Sequence, residues 1–141
     1  MPKVFTSKHQ KIGELGEDIA ERYLKNKGFI VIERNYTRKC GEIDIVAKKG
    51  NRTHFIEVKA VNENITESSE FKGHIRPEDN MHPKKLERFS RTVEVYLAEH
   101  VLYKKDMKDT LEESWQCDLV SVFIDKESKK AKVSHMENII F

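Results

Sequence analysis

The stretch Gly41-Glu42-Ile43-Asp44-Ile45-Val46-Ala47-Lys48-Lys49-Gly50-Asn51-Arg52-Thr53-His54-Phe55-Ile56-Glu57-Val58-Lys59 decides how this chain folds. Two strand-like runs flank Gly50-Asn51, and a Gly-Asn pair between such runs marks a two-residue hairpin loop, with Gly supplying the positive φ. Pairing Lys49 with Arg52 sets a register that brings Asp44 directly opposite Glu57 on one side of the sheet, with Cβ atoms about 4.5–5.5 Å apart. Two opposed carboxylates repel and weaken a sheet unless a cation sits between them. Lys59 stands two residues beyond Glu57 and projects from the same face. The pattern reads as a site for a hard cation with a lysine beside it. Ile43, Ile45 and Ala47 are expected on one face of the second strand, with Glu42, Asp44 and Val46 on the other. In the third strand Ile56, Val58 and Ala60 oppose Phe55, Glu57 and Lys59. Val46 and Phe55 would not belong on a fully solvated face, so the charged face is expected to be half covered by the first helix.

That helix is expected over residues 7–27. Ile12, Leu15, Gly16, Ile19, Ala20, Tyr23 and Leu24 follow the helical period, and Gly28 suits the left-handed position just past a helix end. At about 100° per residue, Glu17 lies about 20° from Leu24 and 60° from Ala20, at the edge of the apolar stripe. It is thus turned partly toward the sheet. Residues 29–33 read as a first short strand, making with 41–48 and 53–60 an antiparallel meander. Pro83 suits the first turn of a second helix, whose stripe is Leu86, Phe89, Val93, Tyr96, Leu97 and Val101. The run from Trp115 to Asp125 is a nearly buried strand. Residues 131–135 read as an edge strand, and 136–141 as an apolar tail that docks. The late strand follows a helix and can therefore return parallel by a crossover. The expected class is α/β: a mixed sheet with helices on both faces.

The chain has 141 residues, 35% of them charged and 38% apolar, and a net charge of +2. This fits one domain over 1–141 with a real core. Residues 62–82 are polar without a period and read as a mobile loop, and 104–114 as a charged connection. So small a net charge implies no nucleic-acid partner by itself. The bases nevertheless cluster, and Arg38, Lys39, Arg52, Lys84, Lys85 and Arg88 are the candidates for phosphate contact. The two cysteines, Cys40 and Cys117, are far apart and no zinc-finger spacing occurs. The six histidines are scattered and suggest no metal cluster. His82, ahead of Pro83, reads as a plain loop residue. The first residues lack the apolar region of a signal peptide, and no apolar run approaches ~18 residues. No membrane partner and a cytoplasmic location are expected.

An acidic residue closing one strand followed by Glu-x-Lys on the next resembles the PD-(D/E)xK nuclease signature. Further motifs sharpen the likeness: Gly16-Glu17 through Tyr23-Leu24, Gly28-Phe29, Asn35-Tyr36, Gly41-Glu42-Ile43-Asp44, Phe55-Ile56-Glu57-Val58-Lys59 and Cys117-Asp118-Leu119-Val120. Over roughly residues 9–125 the chain resembles the YraN-type family, small bacterial proteins similar to Holliday-junction resolvases and restriction endonucleases. Two positions depart from the family pattern: Val61 stands where Arg commonly follows the motif lysine, and Thr37 where Arg often follows the Asn-aromatic pair. The resemblance implies a restriction-endonuclease-like three-layer α/β/α fold over 1–141. It also implies a Mg²⁺ or Mn²⁺ site from Asp44, Glu57 and the Val58 carbonyl, with Glu17 completing it and Lys59 orienting or activating the attacking water. The chemistry agrees, because Mg²⁺ takes oxygen ligands and keeps several waters. The expected function is metal-dependent hydrolysis of phosphodiester bonds in DNA, branched or structured, with no small-molecule cofactor. Symmetric cutting of two strands would require a twofold dimer. The alternative is a non-catalytic nucleic-acid-binding module on the same scaffold, serving DNA processing or uptake. A third reading is a scaffold whose charged face binds a protein partner. The site, not the fold, separates these.

Overall fold

In a computed structural model, which describes residues 8–62, 82–103, 114–125 and 127–139, the Gly50-Asn51 hairpin closes as its residues require. Lys49 pairs with Arg52, Gly50 takes φ 62°, and the ladder runs unbroken to Ile45 opposite Ile56. A left-handed glycine at the first loop position alone is the type II′ arrangement, whose twist suits the flanking strands. The hairpin joins β2 (Gly41–Lys49) to β3 (Arg52–Asn62), and β1 (Ile30–Arg38) pairs antiparallel with β2. α1 (Lys8–Asn26) precedes this meander and α2 (Pro83–Tyr103) follows it. β4 (Ser114–Asp125) returns parallel to β3, and β5 (Lys130–Met136) pairs antiparallel with β4, giving the sheet order β1-β2-β3-β4-β5. The α/β/α layering and the order of elements are those expected. Most of the loop expected at 62–82 and of the connection expected at 104–114 lies outside the described residues.

Each helix buries its stripe on its own face of the sheet. On one side Ala20, Leu24 and Phe29 pack with Ile45, Ala47, Ile56, Val120, Val122 and Ile124, and Ile12, Ile19 and Tyr23 of α1 lie against them. On the other, Phe89, Val93 and Tyr96 of α2 pack with Tyr36, Ile43, Val46, Phe55 and Cys117. α1 can come this close because position 16 lacks a side chain: a Cβ there would stand 2.5 Å from the Cβ of Ala60. Leu15, which the helical period includes, is left exposed. α1 ends in a Schellman motif, with Phe29 N–H donating to the Leu24 carbonyl at 2.9 Å and Gly28 N–H to that of Lys25 at 3.1 Å. Gly28 holds φ 92°, which glycine adopts without strain. At the start of α2, His82 is more than a loop residue: its Nδ1 accepts the Lys84 N–H at 3.3 Å and its carbonyl the Leu86 N–H at 3.0 Å. It thereby caps donors the first turn would leave open. The tail docks through the Ile139 N–H, which donates to the Cys117 carbonyl at 2.7 Å. Both cysteines are free thiols, and no helix among the described residues is long and apolar enough to cross a membrane.

Two expectations about facing need correction. Ile43 does not share a face with Ile45 and Ala47, because it packs with Tyr36 and Val46 under α2 while they pack under α1. The reversal falls at Asp44. The pairs Arg34–Ile45 and Tyr36–Ile43 bracket Asn35 opposite Asp44, and Asn35 adopts φ 54°. A left-handed residue within a strand twists the ladder locally, much as a bulge does. β1 itself continues to Arg38, beyond the expected end at residue 33, because an exposed strand on the sheet edge tolerates polar residues. The second correction concerns cover. The face carrying Phe55 is covered by α2, not by α1.

Candidate functional site

Asp44 lies where the β2–β3 ladder ends, and its carboxylate rather than its backbone bridges the strands. Oδ2 accepts the Val58 N–H at 2.8 Å. This sets the Asp44 carboxyl close enough to that of Glu57 for the two charges to repel. Glu57 is only 8% exposed, and Glu17 of α1 is near enough to add its own repulsion to Asp44. Burial, then the charges of Glu57 and Glu17, push the Asp44 carboxyl well above the usual carboxylate range, to about 8, against the opposing pull of the Val58 N–H. Three carboxyl groups, from α1, β2 and β3, thus lie near enough to repel one another.

Among the described residues, Lys85 and Arg34 offset part of this charge. Lys85 Nζ lies 2.9 Å from Glu57 Oε1. Partial burial alone would lower its pKa, but Glu57, Asp44 and Glu42 outweigh that and raise it, so Lys85 remains an ammonium. Arg34 reaches Glu17 at 3.5 Å and also holds Asp18 at 2.8 Å and Glu21 at 3.3 Å, binding the acidic side of α1 to β1. Lys59 is half-buried on β3, opposite Ser121 of β4. The ammonium that bridges to Glu57 is therefore Lys85's, a residue singled out in the sequence only for phosphate contact. Hard oxygen donors that repel one another when empty are the donor set a small dication accommodates. The group that participates from Val58 here is its N–H.

The expected phosphate contacts divide into separate places. Lys39, Lys84 and Arg88 are exposed, and the turn of α2 bearing Arg88 lies against Gly41 at the β1–β2 turn. Arg38 is engaged, donating to both Glu99 carboxylate oxygens at 2.8 Å and lying 4.1 Å from the Tyr36 ring centre. Arg52 is elsewhere, donating to Gln116 Oε1 at 2.8 Å beside a cavity at the hairpin end of the molecule. The histidines also depart from expectation. His54 and His135 are far apart in sequence, yet both meet the buried Asp118. One signal in the sequence pointed there, namely an acidic residue inside the otherwise apolar run of β4.

The acidic cluster carries a stability prediction. Asp44→Asn keeps an acceptor for the Val58 N–H and removes one of three repelling carboxyls. In the presence of chelator it should stabilise the fold by about 1–2 kcal/mol, taking about 1.4 kcal/mol per pKa unit as the scale. The folded state holds the Asp44 proton more tightly than the unfolded chain, so wild-type stability from this group falls as pH rises toward about 8. The gap between variant and wild type should therefore widen from pH 5 to pH 8 in denaturant melts. A less stable variant would contradict the repulsion.

A model of the Uncharacterised protein family UPF0102 matches residues 16–122. A UPF0102 protein of Campylobacter lari is 40% identical over 129 residues, covering 92% of this chain and 93% of that one. One from Campylobacter jejuni is 36% identical with the same coverage. One from Alkaliphilus oremlandii is 33% identical over 130 residues, covering 92% and 97%. The match runs from Gly16 within α1 through the whole meander to Val122 within β4, and so includes Glu17, Asp44 and Glu57. This chain belongs to the UPF0102, or YraN-type, family.

Proposed function

We propose that the chain is a Mg²⁺- or Mn²⁺-dependent endonuclease acting on DNA, with Glu17, Asp44 and Glu57 holding the ion and Lys59 serving the attacking water. The observation that carries the reading is the cluster itself: three carboxyls from three elements, one lodged on a backbone N–H of the strand that bears Glu57 and Lys59. A bound dication would neutralise phosphate charge and render its water acidic. The residues do the remaining work. The Val58 N–H fixes the Asp44 carboxylate, while Arg34 fixes α1 and with it Glu17. Because its pKa is raised, Asp44 would have to give up its proton to hold the ion. With an ion on Glu57 in place of the ammonium, Lys85 would be free to turn toward a phosphate, beside the exposed Lys84 and Arg88.

One observation favours the second reading, a DNA-binding module without catalysis. The Lys85–Glu57 bridge already compensates part of the site's charge without an ion. A panel of labelled single-stranded, duplex, flap and four-way DNAs, incubated with Mg²⁺ and with Mn²⁺, separates the two. The nuclease reading expects cleavage of at least one structure, lowered about 10²–10⁴-fold in Glu57→Gln, the size of effect typical for losing one catalytic group. Binding to the panel without cleavage by wild type in Mn²⁺ would favour the binding module.

A further inference from the structure

We propose that His54, Asp118, His135 and Glu137 form a second metal site, for a divalent transition ion of the zinc type, which ties the C-terminal segment to the sheet. One ligand atom from each of the four lies within 4.8 Å of all the others. A tetrahedral ion with bonds of about 2.0–2.2 Å fits a set of that spread after small side-chain rotations. The four residues come from β3, β4, β5 and the residues just after β5, so their convergence depends on the folded sheet. It does not follow from a local turn.

The cluster converges on a single carboxylate oxygen. His54 Nδ1 lies 2.6 Å and His135 Nε2 2.9 Å from the same oxygen, Asp118 Oδ2. The other oxygen, Oδ1, accepts Gln116 Nε2 at 2.8 Å and the Asn138 N–H at 3.0 Å. Gln116 and Asn138 thus orient Asp118 through one oxygen, as the outer partners of metal ligands do, while the other oxygen faces both imidazole nitrogens. Gln116 Nε2 also reaches Glu137 Oε1 at 3.3 Å, holding the fourth residue near. Asp118 is fully buried and His54 nearly so, while Glu137 is exposed. A buried carboxylate with a second one beside it calls for positive charge. Two imidazoles in the set select zinc and its neighbours over Mg²⁺, which prefers oxygen.

Access is present. A cavity of about 450 Å³ opens onto His54, His135 and Glu137, with Lys27, Lys49 and Arg52 on its walls. Glu137, as the exposed ligand, closes the site and can yield its place to an anion held by those cations. The site is separate from the carboxyl cluster. His54 stacks edge-on against Phe29 of the α1-side core at 4.8 Å, whereas Glu57 bridges to Lys85 of α2. The proposal does not rest on the nuclease reading.

The test uses the full chain carrying Asp44→Asn, which silences the first site, stripped with chelator and then titrated with Co²⁺ and Zn²⁺. The expected result is one equivalent of Co²⁺ with the visible absorption bands of tetrahedral coordination, displaced by Zn²⁺, and a rise in Tm with zinc. His135→Gln should abolish the bands and Glu137→Gln should weaken affinity about tenfold or more. A protein that takes up neither ion would overturn the site and leave the rival, a histidine–carboxylate hydrogen-bond network. Undiminished uptake in a folded His135→Gln would overturn it too. If circular dichroism shows that variant unfolded, undiminished uptake in Glu137→Gln decides against the site.

Discussion

Asp118→Ala is expected to destabilise the protein by about 3–5 kcal/mol with chelator present, the scale for breaking a buried, hydrogen-bonded charge. Asp118 is fully buried, yet its carboxylate accepts from His54, His135, Gln116 and the Asn138 backbone. Burial by itself would raise its pKa. The bonds from His135, Asn138, Gln116 and His54 outweigh burial and hold it down at about 2. Removing the carboxylate orphans four donors at once, each costing about 1–3 kcal/mol where water cannot replace the partner. The adjoining cavity lets water reach some of them, which keeps the total below the simple sum. The folded pKa lies below the unfolded one. The contribution is therefore present above the unfolded carboxyl pKa, about 3.9, and fades as pH falls toward about 2. Urea unfolding at neutral pH checks the magnitude. A loss below about 1 kcal/mol, on the scale of a single ordinary hydrogen bond, would contradict the central place given to this residue.

The second large effect separates two lysines. Lys59→Ala should lower DNA cleavage by about 10²–10⁴, the usual size of a general-base contribution, while leaving most DNA affinity. Lys85→Ala should do the reverse. Its amine is held as an ammonium against Glu57 and sits on the first turn of α2 beside Lys84. Losing it removes one phosphate-scale contact and reduces the log–log salt slope of binding by about one unit. Lys85→Ala also leaves Glu57 less compensated, so the ion should bind slightly more tightly. Cleavage rate and gel-shift affinity on one branched substrate give both quantities. Equal effects of the two substitutions on rate would refute the division of roles.

Much of the carboxyl cluster was legible because a two-residue loop leaves no freedom of register. Once Gly50-Asn51 is recognised as the turn, Asp44 must arrive beside Glu57, and the helical period turns Glu17 toward the sheet. The parallel return of β4 followed from a helix lying between β3 and β4. The facing of Ile43 was not legible, because nothing in the local pattern shows that Asn35 adopts a left-handed conformation opposite Asp44. The cover over Phe55 and Glu57 was misassigned for a related reason. Strand alternation shows that two faces exist but not which helix crosses to which. The pairing of His54 with His135 depends on the order β3-β4-β5 and on two registers at once. Residues so distant in sequence share a site only after long-range strand pairing, which local periodicity does not encode. Lys85 was recognised as a base on an exposed helix, but its reach to Glu57 depends on how α2 lies over the sheet.

On the proposed reading, Glu17, Asp44 and Glu57 form a site for a small hard dication. Calorimetric titration of chelator-stripped protein with Mg²⁺, which the imidazole-containing cluster disfavours, tests it most directly. Wild type should bind weakly, with one equivalent, because substrate phosphate is expected to complete the coordination, and binding should be lost in Asp44→Asn. Binding unchanged in Asp44→Asn would rule out the carboxyl cluster as the ion's site.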